Sequence, residues 1–257
     1  MNGLRQGNLG PYALAGRVAV VSGGSSGVGA ACARRLAEQG AMVAIGYHTG
    51  RDRAEALAAE LPGGGHAPLF LPMTDSAAIR AAATEVEARF GRLDVLVNSA
   101  GTTRAVPHAD LDGLDDETFD RILVTNVRGP FATIRAFAPL LRRGGDAVVV
   151  NISSLAAVNG LGSSVAYCAS KAALDTMAMS LARVLGPEIR VLGISPAAVD
   201  TQFVPGRDRD AMLRQAAQTP LRVVCQPDDV ALAVLAAVTH LRLSTGTTLL
   251  VDGGRHL

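Results

Sequence analysis

Tyr167 and Lys171 stand four residues apart in Tyr167-Cys168-Ala169-Ser170-Lys171, so on a helix both project from one face. A phenol ordinarily titrates near pH ~10 and is a poor proton donor at neutral pH. A neighbouring ammonium stabilises phenolate, and bringing the pKa near 7 takes about 4 kcal/mol of differential interaction. A serine hydroxyl such as that of Ser154 would bind the same carbonyl oxygen, giving a general acid with an oxyanion-type helper. Taken alone, Tyr-x-x-x-Lys is a surface pair on a helix; the order of the surrounding motifs argues for chemistry.

A second group is rich in glycine: Ser22-Gly23-Gly24-Ser25-Ser26-Gly27-Val28-Gly29, followed by an Ala-rich segment. A glycine turn feeding a helix N-terminus points backbone amides and the helix dipole at a pyrophosphate. Gly23, Ser25, Ser26, Gly27, Val28 and Gly29 are therefore candidate phosphate-binding residues. The spacing is G-x-x-x-G-x-G, and no Lys-Ser/Thr follows, so it is not a P-loop. The plain alternative is a tight strand–helix turn. A third group closes the second expected strand: Gly46-Tyr47-His48-Thr49-Gly50-Arg51. An acid here would hold the ribose 2′-hydroxyl of NAD, but the first carboxylate is Asp52, already in the next helix. Tyr47, His48, Thr49 and Arg51 suit a 2′-phosphate instead, with Arg51 forming charge-assisted bonds, so NADP(H) is favoured over NAD(H). Otherwise Arg51 is a solvated residue at a helix start.

These groups need a scaffold, and its periodicity is readable. Short apolar runs near 18–21, 42–45, 68–71, 95–97, 147–152, 190–194 and 248–251 read as strands. Helical patterns lie near 27–39, 51–61, 75–90, 115–142, 166–185 and 227–240. The alternation predicts right-handed crossovers and an α/β fold: one doubly wound, seven-stranded parallel sheet flanked by helices. A single domain is expected over 15–257, after an N-terminal extension at 1–14. Stretches 102–115 and 196–209 lack clear periodicity and are long enough to be lids or binding loops. Ligands of such sheets bind beyond the carboxyl ends of the strands.

Composition agrees. The 257 residues are 49% hydrophobic but only 4% aromatic, without Trp, so the core must be aliphatic. Lys and Arg number 24 against 23 Asp and Glu, and this balance argues against a nucleic-acid partner. Cys32, Cys168 and Cys225 are scattered, which argues against a disulfide framework or a metal site and fits a reducing cytosol. The first residues lack a signal-peptide h-region, and no apolar run approaches the ~18 residues that span a membrane, so a cytoplasmic location is expected.

In this order the motifs resemble those of the short-chain dehydrogenase/reductase family over nearly the whole length. The run 22–29 resembles its T-G-x-x-x-G-x-G, with Ser22 for Thr. Asn98-Ser99-Ala100-Gly101 resembles N-N-A-G, and Asn126 stands where the family keeps a catalytic asparagine. Ser154 and Tyr167-x-x-x-Lys171 match its catalytic serine and Tyr-x-x-x-Lys. The stretch 195–201 resembles the Pro-Gly loop, while 226–231 and 251–254 resemble C-terminal signatures.

The resemblance implies a Rossmann-like fold and hydride transfer between a nicotinamide and a carbonyl or secondary alcohol. Tyr167 would protonate the carbonyl oxygen and Ser154 polarise it. Lys171 would bind the nicotinamide ribose and depress the Tyr167 pKa. Asn126 would hold a water linking Lys171 to solvent. Val199 and Thr201, beyond Pro196, would fix the carboxamide. Asn98, Ala100 and Gly101 would line the centre of the cofactor, and the backbone near Met73 would face the adenine. Ala197 replaces a glycine and would demand φ < 0. Pro72 replaces an Asp or Asn facing the adenine.

Within the family the chain is similar to 3-oxoacyl-[acyl-carrier-protein] reductases. A lid at about 202–218 contributes Phe203, Val204 and Met212, which with Leu155, Val158 and Leu161 favour an apolar carbonyl compound over a sugar. Arg207, Arg209 and Arg214 of this lid would greet an anionic substrate or form a solvated face. The alternatives are an NAD-dependent alcohol or sugar-alcohol dehydrogenase, and a non-catalytic nucleotide-binding protein on the same fold. A homotetramer is expected, because the segments that pair in the family are apolar here.

Overall fold

Strand β1 (Val18–Ser22) is buried at every position, and its side chains alternate between two apolar clusters. Ala19 and Val21 face one, Val18 and Val20 the other, as required of a strand covered on both sides. The computed structural model describes residues 12–206 and 208–257. The remaining strands are β2 (Met42–Tyr47), β3 (Ala67–Phe70), β4 (Val95–Asn98), β5 (Ala147–Ile152), β6 (Ile189–Pro196) and β7 (Thr247–Val251). All pair in parallel, in the order β3-β2-β1-β4-β5-β6-β7. The order reverses between β1 and β4, where the crevice of a doubly wound sheet opens.

One cluster joins the sheet to α1 (Gly27–Glu38), α2 (Arg51–Glu60) and α9 (Pro227–Thr239) through Leu36, Leu57, Val234 and Val238. The other joins it to α3 (Ser76–Phe90), α5 (Gly129–Gly144) and α7 (Val165–Leu185) through Ile79, Val86, Phe137 and Leu185. Tyr12 and Leu14, placed by the sequence in an extension, are buried in the first cluster, and Tyr12 Oη donates to the Asp146 carbonyl. The rest of that expected extension, 1–11, lies outside the described residues.

The fold departs from the sequence expectation in three places. The helix expected over 115–142 is divided into α4 (Asp116–Leu123), a π-helical turn at Val124–Arg128, and α5. Pro130 has no N–H for the Asn126 carbonyl, which favours the wide turn. A short helix, α6 (Ala156–Asn159), follows β5, and α8 (Arg209–Ala217) forms within the expected lid, started by Asp208 accepting from Asp210 N and Ala211 N. Strands β1, β4 and β6 extend past their apolar runs to Ser22, Asn98 and Pro196, whose neighbours supply polar partners. Asn98 Nδ2, for example, donates to Asn151 Oδ1 at 2.9 Å. No helix among the described residues is long and apolar enough to cross a membrane.

Candidate active site

A cavity of about 1250 Å³ runs along the carboxyl ends of the strands. Its floor begins with the glycine turn after β1. Gly23 has φ +64°, and a Cβ there would approach Ala100 Cα to 2.8 Å. A Cβ on Gly29 would come within 2.2 Å of the Gly23 carbonyl oxygen, so the turn admits no side chain there. Ser22 Oγ accepts from Ser99 N and Ala100 N, tying the turn to the segment after β4. Ser26, the residue before α1, makes no side-chain cap to that helix, so its first amides face the cavity lined by Ser25, Ser26, Gly27, Val28 and Gly29. This is a fitting cradle for a pyrophosphate.

Beyond β2 the cavity is lined by Tyr47, His48, Thr49, Gly50 and Arg53. Arg51 does not line the cavity: its side chain is 70% exposed, and Nε donates to Glu55 Oε1 at 2.8 Å. Arg53, which sequence reasoning passed over, lines it instead. A Cβ on Gly50 would lie 2.4 Å from Arg53 Nη2 and 2.8 Å from Ser25 Oγ, so the guanidinium covers Gly50 beside the glycine turn. Helical periodicity puts positions 51 and 53 on different faces of α2, but it does not say which face meets the cavity. Met73 also fails to line the cavity; it is buried against Gly129 and Thr133.

Ser154, Tyr167 and Lys171 all line the opposite end of the cavity. Ser154 follows β5, and its Oγ accepts from Ala156 N at 3.2 Å. Tyr167 and Lys171 come from the first turns of α7, which Ser164 starts by accepting from Tyr167 N. Lys171 is 6% exposed; Nζ donates to the Ile152 carbonyl at 2.7 Å and lies 5.7 Å from the Tyr167 ring centre. Burial pushes its pKa down to about 8, against the opposing charge of Asp175 one turn further along. Burial also raises Asp175, which accepts from Thr248 Oγ1 at 3.3 Å.

Asn126 lies beneath the cavity rather than in its lining. Its Oδ1 accepts from Thr102 N at 2.8 Å, and Nδ2 donates to the Thr102 carbonyl and to Ser170 Oγ. Ser170 Oγ donates in turn to the Tyr167 carbonyl, so Asn126 braces the turn that carries Tyr167. Asn98 is likewise buried outside the lining, while Ala100 and Gly101 are in it. Pro196, Val199 and Thr201 line the third side, and Val199 pairs with Cys225 in an isolated bridge. Ala197 takes no positive φ; Arg222 is the one non-glycine among the described residues that does. Of the lid residues, Phe203, Val204 and Met212 line the cavity with Leu155 and Leu161, whereas Val158 does not. Arg214 pairs with Asp208 and Arg209 lies 3.9 Å from Asp200; Arg207 is outside the described residues. Among the described residues no group of three or more His, Cys, Asp or Glu is placed to hold a metal ion.

Known proteins share this arrangement. A family model described as enoyl-(acyl carrier protein) reductase matches residues 23–256. A granaticin polyketide synthase protein of Streptomyces violaceoruber, named as a ketoacyl reductase, is 40% identical over 93% of this chain and 96% of its own. The D-threitol dehydrogenase of Mycolicibacterium smegmatis is 37% identical over 95% of this chain and 94% of its own. The crystal structure of a short-chain dehydrogenase from Burkholderia cenocepacia in complex with NADP superposes with a TM-score of 0.88 at 36% identity, covering 96% of this chain and all of that one. Likeness that spans so much of both partners carries one assignment: the chain is an oxidoreductase of the short-chain dehydrogenase/reductase family.

Proposed function

We propose that the protein is an NADP(H)-dependent reductase of an apolar ketone or 3-oxoacyl compound, working reversibly on the matching secondary alcohol. The observation that carries this reading is the meeting of Ser154, Tyr167 and Lys171 at the end of a cavity whose other end is a glycine cradle. A bound nicotinamide would supply or accept the hydride. Ser154 Oγ donates to the substrate oxygen and orients it. Tyr167 Oη delivers the proton as the oxygen gains charge. Lys171, anchored on the Ile152 carbonyl, places positive charge behind the phenol, which favours the phenolate left after transfer. Asn126 holds the first turn of α7 in register and, through a water, returns a proton by way of Lys171.

The preference for NADP(H) is read from Tyr47, His48, Thr49 and Arg53, which bring donors and no carboxylate to the end of β2. The Burkholderia cenocepacia structure in complex with NADP supports it by analogy. A sugar-alcohol substrate is the second reading, favoured by the likeness to D-threitol dehydrogenase. The lining of Leu155, Leu161, Phe203, Val204 and Met212 speaks against it, since a polyol needs many fixed polar partners. Self-association as a homotetramer and a cytoplasmic location complete the proposal. A panel of ketones, 3-oxoacyl thioesters, quinones and sugars, assayed with NADPH and NADH, tests it. Turnover of sugars with NADH and not of ketones with NADPH would overturn it.

A further inference from the structure

Behind α8 lies a second cavity of about 250 Å³, walled by Leu221, Val223, Val224, Cys225 and Val251. It and the active-site cavity share Ala197, Ala198, Met212, Gln215 and Arg255. The wall they share is made of two alanine methyls and a flexible thioether, with the polar side chains of Gln215 and Arg255. The carboxylates bordering the second cavity are held by the chain itself. Asp252 accepts from Gly254 N and from His256 N and Nδ1, and Asp229 accepts from Gln226 N. Thr219 Oγ1 donates to the Ala216 carbonyl and accepts from Arg222 N. Much of what then faces the space is aliphatic, together with the Cys225 thiol, which burial keeps protonated at neutral pH.

We propose that this cavity receives the far apolar end of an elongated carbonyl substrate, whose carbonyl lies at Tyr167 and whose chain passes between Ala197 and Met212. The proposal rests on the carbonyl-reduction reading above and adds to it a substrate shape. A largely apolar space that shares wall residues with the catalytic cavity suits a chain continuous with the reacting group. Each methylene carried from water into it is expected to raise kcat/KM by up to about fourfold.

The test is a ladder of ethyl 3-oxobutanoate, 3-oxohexanoate, 3-oxooctanoate and 3-oxodecanoate, assayed with NADPH. Wild-type kcat/KM should climb at least about tenfold from first to last. Cys225→Trp and Leu221→Trp should reduce the two long esters at least about tenfold and leave ethyl 3-oxobutanoate within about twofold. Leu221 is 70% exposed on the rim, so its variant carries the comparison if Cys225→Trp does not fold. A second readout needs no turnover: alkylation of Cys225 by iodoacetamide at a pH of about 9.5, where part of the thiol is ionised, followed by mass spectrometry, should be slowed by ethyl 3-oxodecanoate and not by ethyl 3-oxobutanoate. A flat ladder with unprotected Cys225 overturns the distal site and leaves carbonyl reduction standing. Protection of Cys225 without turnover of any ester overturns the reduction reading and supports the chain-binding cavity.

Discussion

The ring of Phe203 stands 5.9 Å from that of Tyr167, tilted by 53°, so the lid places an apolar wall directly beside the proposed proton donor. The same ring reaches toward the segment after β4, since a Cβ on Gly101 would lie 3.7 Å from Phe203 Cε2. An apolar substrate thereby gains a flat surface on the lid side of the phenol. Phe203→Ala is expected to raise KM for an apolar ketone roughly tenfold, with kcat reduced less. Because the ring is 40% exposed, the melting temperature should move by only a few degrees. Steady-state kinetics and thermal unfolding check both halves.

Tyr167→Phe keeps the ring and removes the hydroxyl. Turnover is expected to fall by about 10²–10⁴, the range for a positioned general acid. The dissociation constant of NADPH, measured by fluorescence titration, should stay within about threefold, because the aromatic packing persists. Retention of more than a tenth of wild-type turnover would move the acid to another residue.

Lys171 sets a pH signature. Burial depresses its pKa to about 8, whereas in the unfolded chain a lysine holds its proton to about 10.4. If the ammonium assists Tyr167, activity declines as pH rises through about 8. For stability the sign is opposite: between about 8 and 10.4 the unfolded chain binds more protons than the native one, so this residue's contribution becomes more favourable with rising pH. The melting temperature of wild type relative to Lys171→Met is therefore expected to increase from pH 7 to pH 10. Paired scans at several pH values read it directly.

Cofactor choice separates two arginines. Arg53→Ala is expected to weaken NADPH at least about tenfold and NADH less than about threefold, as for loss of a charge-assisted bond to phosphate. Arg51→Ala should change neither, since its guanidinium is engaged with Glu55. Tyr47→Asp should turn preference toward NADH. A carboxylate beside the 2′-phosphate costs several kcal/mol at an effective dielectric of about 20. The measurement is kcat/KM for both cofactors in all three variants.

The proposed tetramer has a candidate surface. β7 is an edge strand, and Leu249 on it is exposed, as are Met179 and Val184 on α7 and Leu232 on α9. Apolar groups of this size on a strand edge and its flanking helices call for a partner. Light scattering at micromolar concentration should report a tetramer, and Leu249→Glu should shift it to smaller species. A stable wild-type monomer would refute the assembly.

The strands and the glycine turn were legible because their signals are local. A buried parallel strand needs a continuous apolar run, and Val18 through Val21 supply one whatever surrounds them. The sequence shows one continuous helical pattern over 115–142 because apolar periodicity does not register a wide turn. The turn at Val124–Arg128 accompanies bonds from Asn126 to Thr102 and Ser170, both distant in sequence. The strand ends ran past their apolar runs for the same reason: Asn98 Nδ2 finds its acceptor on Asn151, which the sequence leaves 53 positions away.

By itself the sequence determined that a glycine turn leads from the first strand into a helix and that Tyr167 and Lys171 share a helix face. Glycine tolerance and the 3.6-residue helical repeat are properties of short segments, so no tertiary information was needed. Tertiary structure alone decided which arginine reaches the cavity. Positions 51 and 53 lie about 200° apart around a helix, and only the direction in which α2 leaves the sheet says which one faces inward. It alone brought Phe203 beside Tyr167 and assembled the walls of the space behind α8. Both contacts join segments far apart in the chain, and side-chain packing across such distances leaves no periodic trace to read.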